Sequence, residues 1–425
     1  MASILIKNGR VIDPSQDMDR ITNVLLDNGL VAAYDVSTNG YDQTIDAKGK
    51  IVSPGFVDIH TELREPGCEE DETIESGTAA ALAGGYTSIA CIPNTDPPID
   101  SQASVEFVRQ KAARAGNCNV FVLACISKNR EGKELAEIGS LVGAGAVGFT
   151  DANRPVQNAA LLRRALEYCL MFDVPILDHP ENLELSIDGV MHEGLTSMVL
   201  GFTGMPADAE DVATARDLRL AEYTGGRLHL LNISTAGSVD LVRRFKSRGL
   251  KVTAEVCPPH FILTDEQLRS FDSNCKVNPP LRSKQHVEAC IEGLKDNTIE
   301  VISSGHAPRA SEKKLQEMDR APFGIVGLET TLGLVGTKLI EPGHLSWPDA
   351  IAKLTHNPAQ VLGLRKGTLR IGADADVTII DPHYRWEVRA DRFKSRSSNT
   401  PFDEWMLTAR AEKVIVGGVL KLDRQ

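Results

Sequence analysis

Residues 55–67, GFVDIHTELREPG, decide the fold of this chain. The apolar run 56–60 ends in a histidine, a pattern typical of the first strand of a barrel enzyme that holds a metal at its mouth. Side chains two residues apart lie on the same face of a strand, so His60 and Glu62 point the same way. A metal-binding His-x-His pair would have its second histidine where this chain has Glu62. The stretch therefore predicts a barrel in which the usual metal chemistry is altered.

The middle of the chain alternates strand and helix patterns. Strand-like apolar runs, separated by segments with helical spacing, occur at residues 56–60, 87–92, 120–125, 146–150, 174–177, 228–233, 251–256 and 300–303. Eight β–α units within about 300 residues favour a (β/α)8 TIM barrel over a doubly wound sheet, and they place functional groups where the strands end.

The two ends of the chain have a different pattern. ILIKNGRVID (residues 4–13) predicts two short strands around a type I′ turn at Asn8-Gly9. ADVTIID (375–381) and AEKVIVGGVLKLD (411–423) predict further short strands. We therefore predict a small β-sandwich domain made of residues 1–53 and 359–425, beside a barrel of residues 54–358.

Composition excludes some classes of partner. The formal net charge of −12 argues against a general binder of nucleic acid or anionic membrane. Eight cysteines without a C-x-x-C pair are typical of free thiols in a reducing compartment. No stretch resembles a signal peptide or a membrane span. We expect a cytoplasmic protein.

Polar residues at the predicted strand ends indicate a site. His60 and Glu62 follow the first strand, Asp151 the fourth and His179 the fifth. Each residue alone is as well explained by a structural role, such as a helix cap for the aspartate. Together, two histidines and two carboxylates would converge on the barrel axis, where several buried polar groups need a common explanation. The set predicts a metal site that either still works or is a remnant.

Several motifs resemble one family over nearly the whole chain. They are PGFVDIHTELREPG, ETIESGTAAALAGGYTSIACIPNTDP, KVNPPLRS, GHAPR, APFGIVGLETTLGLV and LTHNPAQVLGL. They are similar to the amidohydrolase superfamily, and within it to the long bacterial class (class I) of dihydroorotases. That resemblance implies interconversion of N-carbamoyl-L-aspartate and dihydroorotate in pyrimidine biosynthesis. It also implies two zinc ions, a bridging hydroxide and an aspartate from the eighth strand that carries the proton.

The family's metal ligands are only partly matched. His60, Asp151 and His179 stand where the family has ligands, whereas Glu62 and Asn232 replace two histidines and Gly305 replaces the catalytic aspartate. A carboxylate is an acceptable zinc ligand, so His60, Glu62, Asp151 and His179 would hold one zinc at most. An amide oxygen is a poor exchange for imidazole, and glycine supplies no general acid or base.

The family's substrate-binding positions are better kept. The resemblance assigns to them Arg64, Asn94, Asn278, Phe323 and Gly324, while Arg309 stands in place of a substrate-side histidine. We therefore expect carbamoyl-aspartate or dihydroorotate as a ligand.

Two hypotheses about function follow. In the first, the chain is a non-catalytic dihydroorotase homologue that acts as a structural partner of aspartate carbamoyltransferase. In the second, it is an active dihydroorotase or related cyclic amidohydrolase with a rearranged, mononuclear zinc site, acting on dihydroorotate or on another cyclic amide such as a hydantoin. We favour the first because Gly305 lacks the carboxylate that an active enzyme needs. We also expect a homo-oligomer.

Overall fold

A computed structural model describes residues 3–38 and 40–424. Its strands, in chain order, are β1 (Ile4–Asp13), β2 (Met18–Asp27), β3 (Leu30–Tyr34), β4 (Gln43–Asp46), β5 (Ile51–Pro54), β6 (Phe56–Thr61), β7 (Tyr86–Cys91), β8 (Asn119–Ala124), β9 (Ala146–Phe149), β10 (Ile176–Asp178), β11 (Met191–His192), β12 (Gly204–Met205), β13 (Leu228–Leu230), β14 (Val252–Val256), β15 (Val301–Ile302), β16 (Val377–Glu387), β17 (Met406–Val416) and β18 (Val419–Asp423).

The helices lie mostly between the barrel strands. They are α1 (Ile74–Gly84), α2 (Gln102–Ala115), α3 (Ile138–Ala144), α4 (Ala159–Cys169), α5 (Leu195–Leu200), α6 (Asp208–Thr224), α7 (Ala236–Ser247), α8 (Pro258–Ile262), α9 (Lys284–Lys295), α10 (Ser311–Lys314), α11 (Thr331–Val335), α12 (Trp347–Leu354) and α13 (His356–Val361). Within the described residues, no helix is long and apolar enough to cross a membrane.

Eight parallel strands form the predicted barrel. The sheet runs in the order β15-β14-β13-β10-β9-β8-β7-β6, and every neighbouring pair is parallel. The chain after β15 returns to β6, because Thr61 forms a parallel bridge with His306 and the Glu62 amide donates to the His306 carbonyl at 2.9 Å. The prediction of a TIM barrel is confirmed, and the carboxyl ends of all eight strands meet at one mouth.

Apolar side chains fill the inside of the barrel and the layer between strands and helices. Inward-pointing residues from alternating strand positions form the inner cluster, which includes Val57, Ile59, Ala90, Ile92, Leu123, Leu177, Leu231 and Val301. A larger cluster lies between the strands and the surrounding helices. The barrel is thus a packed core, and polar chemistry is confined to its mouth.

The two ends of the chain together form a second sheet. Its order is β18-β17-β16-β5-β1-β2-β3, with β4 also paired to β1, and it has a buried apolar core of its own. The β domain built from both termini is therefore present, while its predicted boundaries stay a prediction. β17 and β18 join at Gly417 and Gly418, which have φ of 54° and 78° as a tight hairpin requires.

The predicted hairpin turn at Asn8-Gly9 is wrong. β1 runs through both residues and pairs with β2 on either side of a register shift between Ile6 and Gly9. Asn8 has a φ of 63°, which one bulged residue can adopt without ending the strand. Gly9 is needed for close packing, because a Cβ there would lie 2.5 Å from Cγ2 of Val52 on the adjacent β5.

Candidate functional site

The barrel mouth opens into a cavity of about 600 Å³. Residues at or just after the carboxyl ends of six of the eight barrel strands line it. They include His60 and Glu62 at the end of β6, Asn153 after β9, Glu181 after β10, Asn232 after β13, Cys257 and His260 after β14, and Gly305 after β15. The cavity lies where a barrel of this kind places its chemistry. We call it the mouth cavity.

His60 lies at the bottom of the mouth and is bound to another side chain. Its Nδ1 lies 2.7 Å from Oε1 of Glu255, and the other oxygen of Glu255 lies 3.3 Å from Nε2 of His229. Burial raises the pKa of Glu255, but its bonds to His229 and His60 outweigh burial and lower that pKa to about 2. Glu255 is therefore an anion that two histidines share.

Glu62 lies on the face that the sequence predicts, but it faces a cation. An Arg64 guanidinium nitrogen pairs with Oε2 of Glu62, and Nδ2 of Asn153 donates to Oε1 at 2.7 Å. Burial raises the pKa of Glu62, but Arg64, Arg309 and the Asn153 hydrogen bond lower it to about 2. Oε1 thus accepts a hydrogen bond, while Oε2 has the Arg64 ion-pair contact but no hydrogen bond among the described residues.

Asp151 and His179 are also bound to protein groups. Asp151 accepts hydrogen bonds from the Ile126 amide at 2.9 Å and the Ser127 amide at 3.2 Å, and also from the Ser127 hydroxyl. His179 Nε2 lies 3.2 Å from Oε2 of Glu181. Neither Asp151 nor His179 lines the mouth cavity.

The four predicted ligands do not fit a zinc ion. Across residues 3–38 and 40–424, no group of three or more histidine, cysteine, aspartate or glutamate side chains is placed to hold a metal. A tetrahedral zinc site needs four donor atoms converging within about 2.3 Å of one point. The single four-ligand site proposed from His60, Glu62, Asp151 and His179 is not formed, because each side chain is directed at a different protein partner.

Three residues meet where the catalytic aspartate is expected. Gly305 has a φ of 57°, and a Cβ at this position would lie 2.5 Å from Sγ of Cys257. The Cys257 thiol donates to Oδ1 of Asn232 and lies 3.2 Å from the Ser303 hydroxyl. Burial raises the pKa of Cys257 well above its usual value, so it stays a neutral thiol. A thiol and an amide therefore meet at the positions where the resemblance predicts an acid and an imidazole.

The predicted substrate-binding residues divide into two groups. Asn278, Arg309, Phe323 and Gly324 line the mouth cavity, and Asn278 Nδ2 donates to Glu181 at 2.9 Å. Arg64 and Asn94 are not in its lining, because Arg64 is turned toward Glu62 and the Pro308 carbonyl.

In the described part of the chain, Asn94 is buried without the hydrogen bonds that a buried amide usually makes. Its amide oxygen and nitrogen have no hydrogen-bond partner among the residues that the structure describes. A buried amide without partners costs free energy that a bound molecule can recover.

Sequence reasoning missed Glu255, Glu181, Asn153 and Cys257. Glu255 had a signal, since a charge inside the apolar run 251–256 is costly unless it is paired. Glu181 follows His179 closely in the sequence, but nothing local shows that it would bond to that histidine. The pairing of Asn153 with Glu62 and of Cys257 with Asn232 depends on contacts between distant segments.

Comparison with known families gives two profile matches. The family described as "Dihydro-orotase-like" matches residues 49–238, and the "Amidohydrolase family" matches residues 327–420. The first match runs from β5 to the start of α7, and the second runs from the residues before α11 to the start of β18.

Comparison with individual proteins extends the similarity to the whole chain. The chain is 50% identical to a putative dihydroorotase of Rhodopirellula baltica, over 99% of this chain and 92% of that protein. It is 49% identical to a dihydroorotase of Pelotomaculum thermopropionicum, over 99% of both chains. Among solved structures, an L-hydantoinase (dihydropyrimidinase) from Arthrobacter aurescens superimposes with a TM-score of 0.89 at 26% identity, covering 100% of this chain and 97% of that one.

Proposed function

The chain belongs to the dihydroorotase family, and from that premise we propose that it has kept the family's barrel but lost the family's reaction. In this proposal it acts in pyrimidine biosynthesis as a structural partner of aspartate carbamoyltransferase. It does not itself interconvert N-carbamoyl-L-aspartate and dihydroorotate.

One observation carries the proposal: each candidate metal ligand is bound to another protein group. His60 is bonded to Glu255, Glu62 to Arg64 and Asn153, Asp151 to Ser127, and His179 to Glu181. A metal would have to break these buried contacts, and separating a buried ion pair such as Glu62–Arg64 costs several kcal/mol. Without a metal, the hydroxide nucleophile of the family has no source near neutral pH.

The proton-transfer position supports the same conclusion. Gly305 supplies no acid or base, and Cys257 fills the space beside it with a neutral thiol. Removing a general acid or base costs roughly 10²–10⁴-fold in rate by itself.

A ligand role for the mouth cavity is part of the proposal. The cavity of about 600 Å³ keeps Asn278, Arg309, Phe323 and Gly324 in its lining. In this proposal Arg309, which lies 3.5 Å from Asp71, meets a carboxylate of carbamoyl-aspartate or dihydroorotate. The chain would then bind an intermediate of the pathway without converting it.

An exposed apolar surface supports the partner role. It comprises Leu183, Leu185, Ile187, Leu195, Met198 and Val199, in the segment after β10 and on α5. Leu195 is 68% exposed and Met198 73% exposed, and Leu183 and Ile187 reach the rim of the mouth cavity. Contiguous exposed apolar residues mark interaction surfaces, and these six lie in one stretch of the chain, residues 183–199. We assign this surface, the α5 surface, to aspartate carbamoyltransferase.

The experiment measures ring closure and partner binding on the same preparation. Purified chain, saturated with zinc, is assayed with N-carbamoyl-L-aspartate, alone and after co-expression with the aspartate carbamoyltransferase of the same organism. We expect no turnover above background in either state, and a stable complex on size-exclusion chromatography. Chelator-sensitive turnover by the chain would contradict the proposal and favour the rearranged mononuclear enzyme.

Variants of the α5 surface test the partner assignment. Leu195→Glu with Met198→Glu should abolish the complex without changing the thermal midpoint of the chain. Met171→Glu is the matched control, since Met171 is 72% exposed but lies outside the α5 surface. Equal loss of binding in both variants, or a complex that survives the double substitution, would remove the assignment.

A further inference from the structure

A second cavity, of about 470 Å³, lies between the barrel and the terminal sheet. It is lined by the end of α1, by α11 with Glu329 before it, by neighbouring parts of β16 and β17, by the segment 389–393 and by Arg424. It shares no lining residue with the mouth cavity. We call it the arginine cavity.

The arginine cavity is strongly basic. Five arginines line it, namely Arg385, Arg389, Arg392, Arg410 and Arg424, against two acidic residues, Glu329 and Glu387. This concentration occurs in a chain whose net charge is −12. Within residues 3–38 and 40–424, Arg389 is the only one of the five that forms an ion pair, with Asp391 at 3.5 Å. A cavity with this much uncompensated positive charge attracts anions.

Two of the arginines, Arg410 and Arg424, are near enough to affect each other, and neither forms an ion pair within the described residues. The guanidinium carbon of Arg410 lies 3.6 Å from the centre of the Tyr384 ring, and Nε of Arg410 is buried with no hydrogen-bond partner in the described chain. The Arg424 guanidinium donates to the Ala411 carbonyl at 3.0 Å. Burial and the neighbouring Arg410 lower the pKa of Arg424. A bound anion would relieve this repulsion and supply the missing hydrogen-bond acceptor.

The buried acid in the cavity wall only partly offsets this charge. Glu329 accepts hydrogen bonds from the Lys394 amide at 2.7 Å and the Ser395 amide at 3.1 Å. Even so, burial raises the pKa of Glu329 to about 7. Near neutral pH this carboxyl is therefore partly protonated.

Aromatic side chains in the arginine cavity indicate that the bound anion also carries a planar ring. Tyr384, Trp386 and Phe393 line the same cavity as the arginines. The Trp386 indole is fixed by donation from Nε1 to the Ala409 carbonyl at 3.0 Å. Aromatic faces and guanidinium planes stack on planar rings, while guanidinium groups bind phosphate through paired N–H donors.

We propose that the arginine cavity binds a nucleotide, with the phosphates on Arg410 and Arg424 and the base against the aromatic residues. Its volume lies within the range of cavities that hold ligands of this size. This site is separate from the barrel mouth and does not depend on whether the chain is catalytic.

The test is calorimetric titration of the purified full chain with ATP, AMP and inorganic tripolyphosphate, at low and at physiological salt. We expect saturable binding of ATP to one site, about tenfold tighter than binding of tripolyphosphate and weaker at higher salt. Arg410→Gln with Arg424→Gln should weaken ATP binding at least tenfold. Arg244→Gln, at an exposed arginine on α7 that pairs with Asp240, is the control and should change nothing.

A second pair of variants keeps the test valid if the first pair does not fold. Arg385 and Arg392 are exposed, so Arg385→Gln with Arg392→Gln should fold normally and still weaken ATP binding severalfold. Absence of saturable ATP binding up to millimolar concentration would overturn the proposal. So would equal binding of ATP and tripolyphosphate, or ATP binding that none of the cavity variants affects.

Discussion

Gly305 and Cys257 form a packed contact at the barrel mouth. The left-handed backbone of Gly305 and the 2.5 Å separation between an added Cβ and the Cys257 sulfur both disfavour a side chain at position 305. Asn232, which accepts the thiol hydrogen bond, also has a positive φ, of 47°. The three positions therefore depend on one another, so a substitution at position 305 acts together with Cys257 and Asn232.

We predict that Gly305→Asp lowers the free energy of unfolding by roughly 2–4 kcal/mol, because it adds a clash to backbone strain. The combination with Cys257→Ala should cost less than the sum of the two single changes, because the alanine removes the sulfur that clashes. Urea denaturation measures the free energy of unfolding of the single variants and of the combined variant. Gly225→Asp is the matched control, since Gly225 has a φ of 71° with nothing within 4 Å of an added Cβ. Equal costs at positions 225 and 305 would contradict the clash.

Glu62 and Arg64 give a second test at the scale of single residues. Both are buried and face each other. Glu62→Gln should destabilise the chain by about 3 kcal/mol, because it leaves a buried guanidinium without its anion, whereas Glu62→Gln with Arg64→Met should recover much of that loss. Chemical denaturation of the two variants measures the free energy of unfolding of each. If the double variant is no more stable than Glu62→Gln, the ion pair is not what holds Glu62.

At the scale of elements, buried charges tie together the loops at the carboxyl ends of the strands. Glu210 on α6 accepts hydrogen bonds from the Ser234 amide at 2.8 Å and the Thr235 amide at 3.0 Å, and it pairs with Arg282 at 3.4 Å. Arg282 also donates to the Met205 carbonyl at 3.0 Å and lies 3.3 Å from the His192 ring. This network joins the segments after β12, β13 and β14 through protein groups alone.

His192 makes this network sensitive to acid. Burial, Arg282 and His286 lower the pKa of His192 to about 4, below the value of about 6.5 for an unfolded chain. Between these values the unfolded chain binds the proton first, so stability is lost as the pH falls from about 6.5 to about 4, by up to roughly 3 kcal/mol. Urea midpoints across this range should fall less steeply for His192→Gln. The exposed His383→Gln should leave the slope unchanged, and a wild-type slope in His192→Gln would contradict the assignment.

At the scale of the whole molecule, the barrel is held together by its own side chains. The eight-stranded sheet closes through Thr61 and His306, and the polar groups of the mouth pair with one another. The terminal sheet contributes a second, separate apolar core. We infer that the chain folds fully without a bound ion.

Metal removal tests this inference. A chelator should leave the thermal midpoint unchanged, and added zinc should not raise it. A resident zinc at a thousand times its dissociation constant would add about 4 kcal/mol, which a thermal scan detects easily. A zinc-dependent dihydroorotase treated in parallel serves as the positive control. A fall of several degrees on chelation would show that a metal is part of the native structure.

The sequence by itself determined the architecture and the family, because both follow from patterns and motifs along the chain. Strand and helix periodicity is local, so all eight barrel strands could be located. The prediction of a turn at Asn8-Gly9 was wrong because residues in turns and in β-bulges share a preference for positive φ. Only the pairing of β1 with β2 distinguishes a bulge from a turn here.

Only the tertiary structure decided what each polar side chain binds. His60 meets Glu255 across 195 residues of sequence, Asn153 reaches Glu62 across 91, and Cys257 takes the space beside Gly305. The residue types allowed a zinc site at the mouth, but each of the four candidate ligands contacts a different protein group. The choice of partner depends on the packing of distant segments and on the cost of leaving a buried charge unpaired, and neither can be read from local sequence.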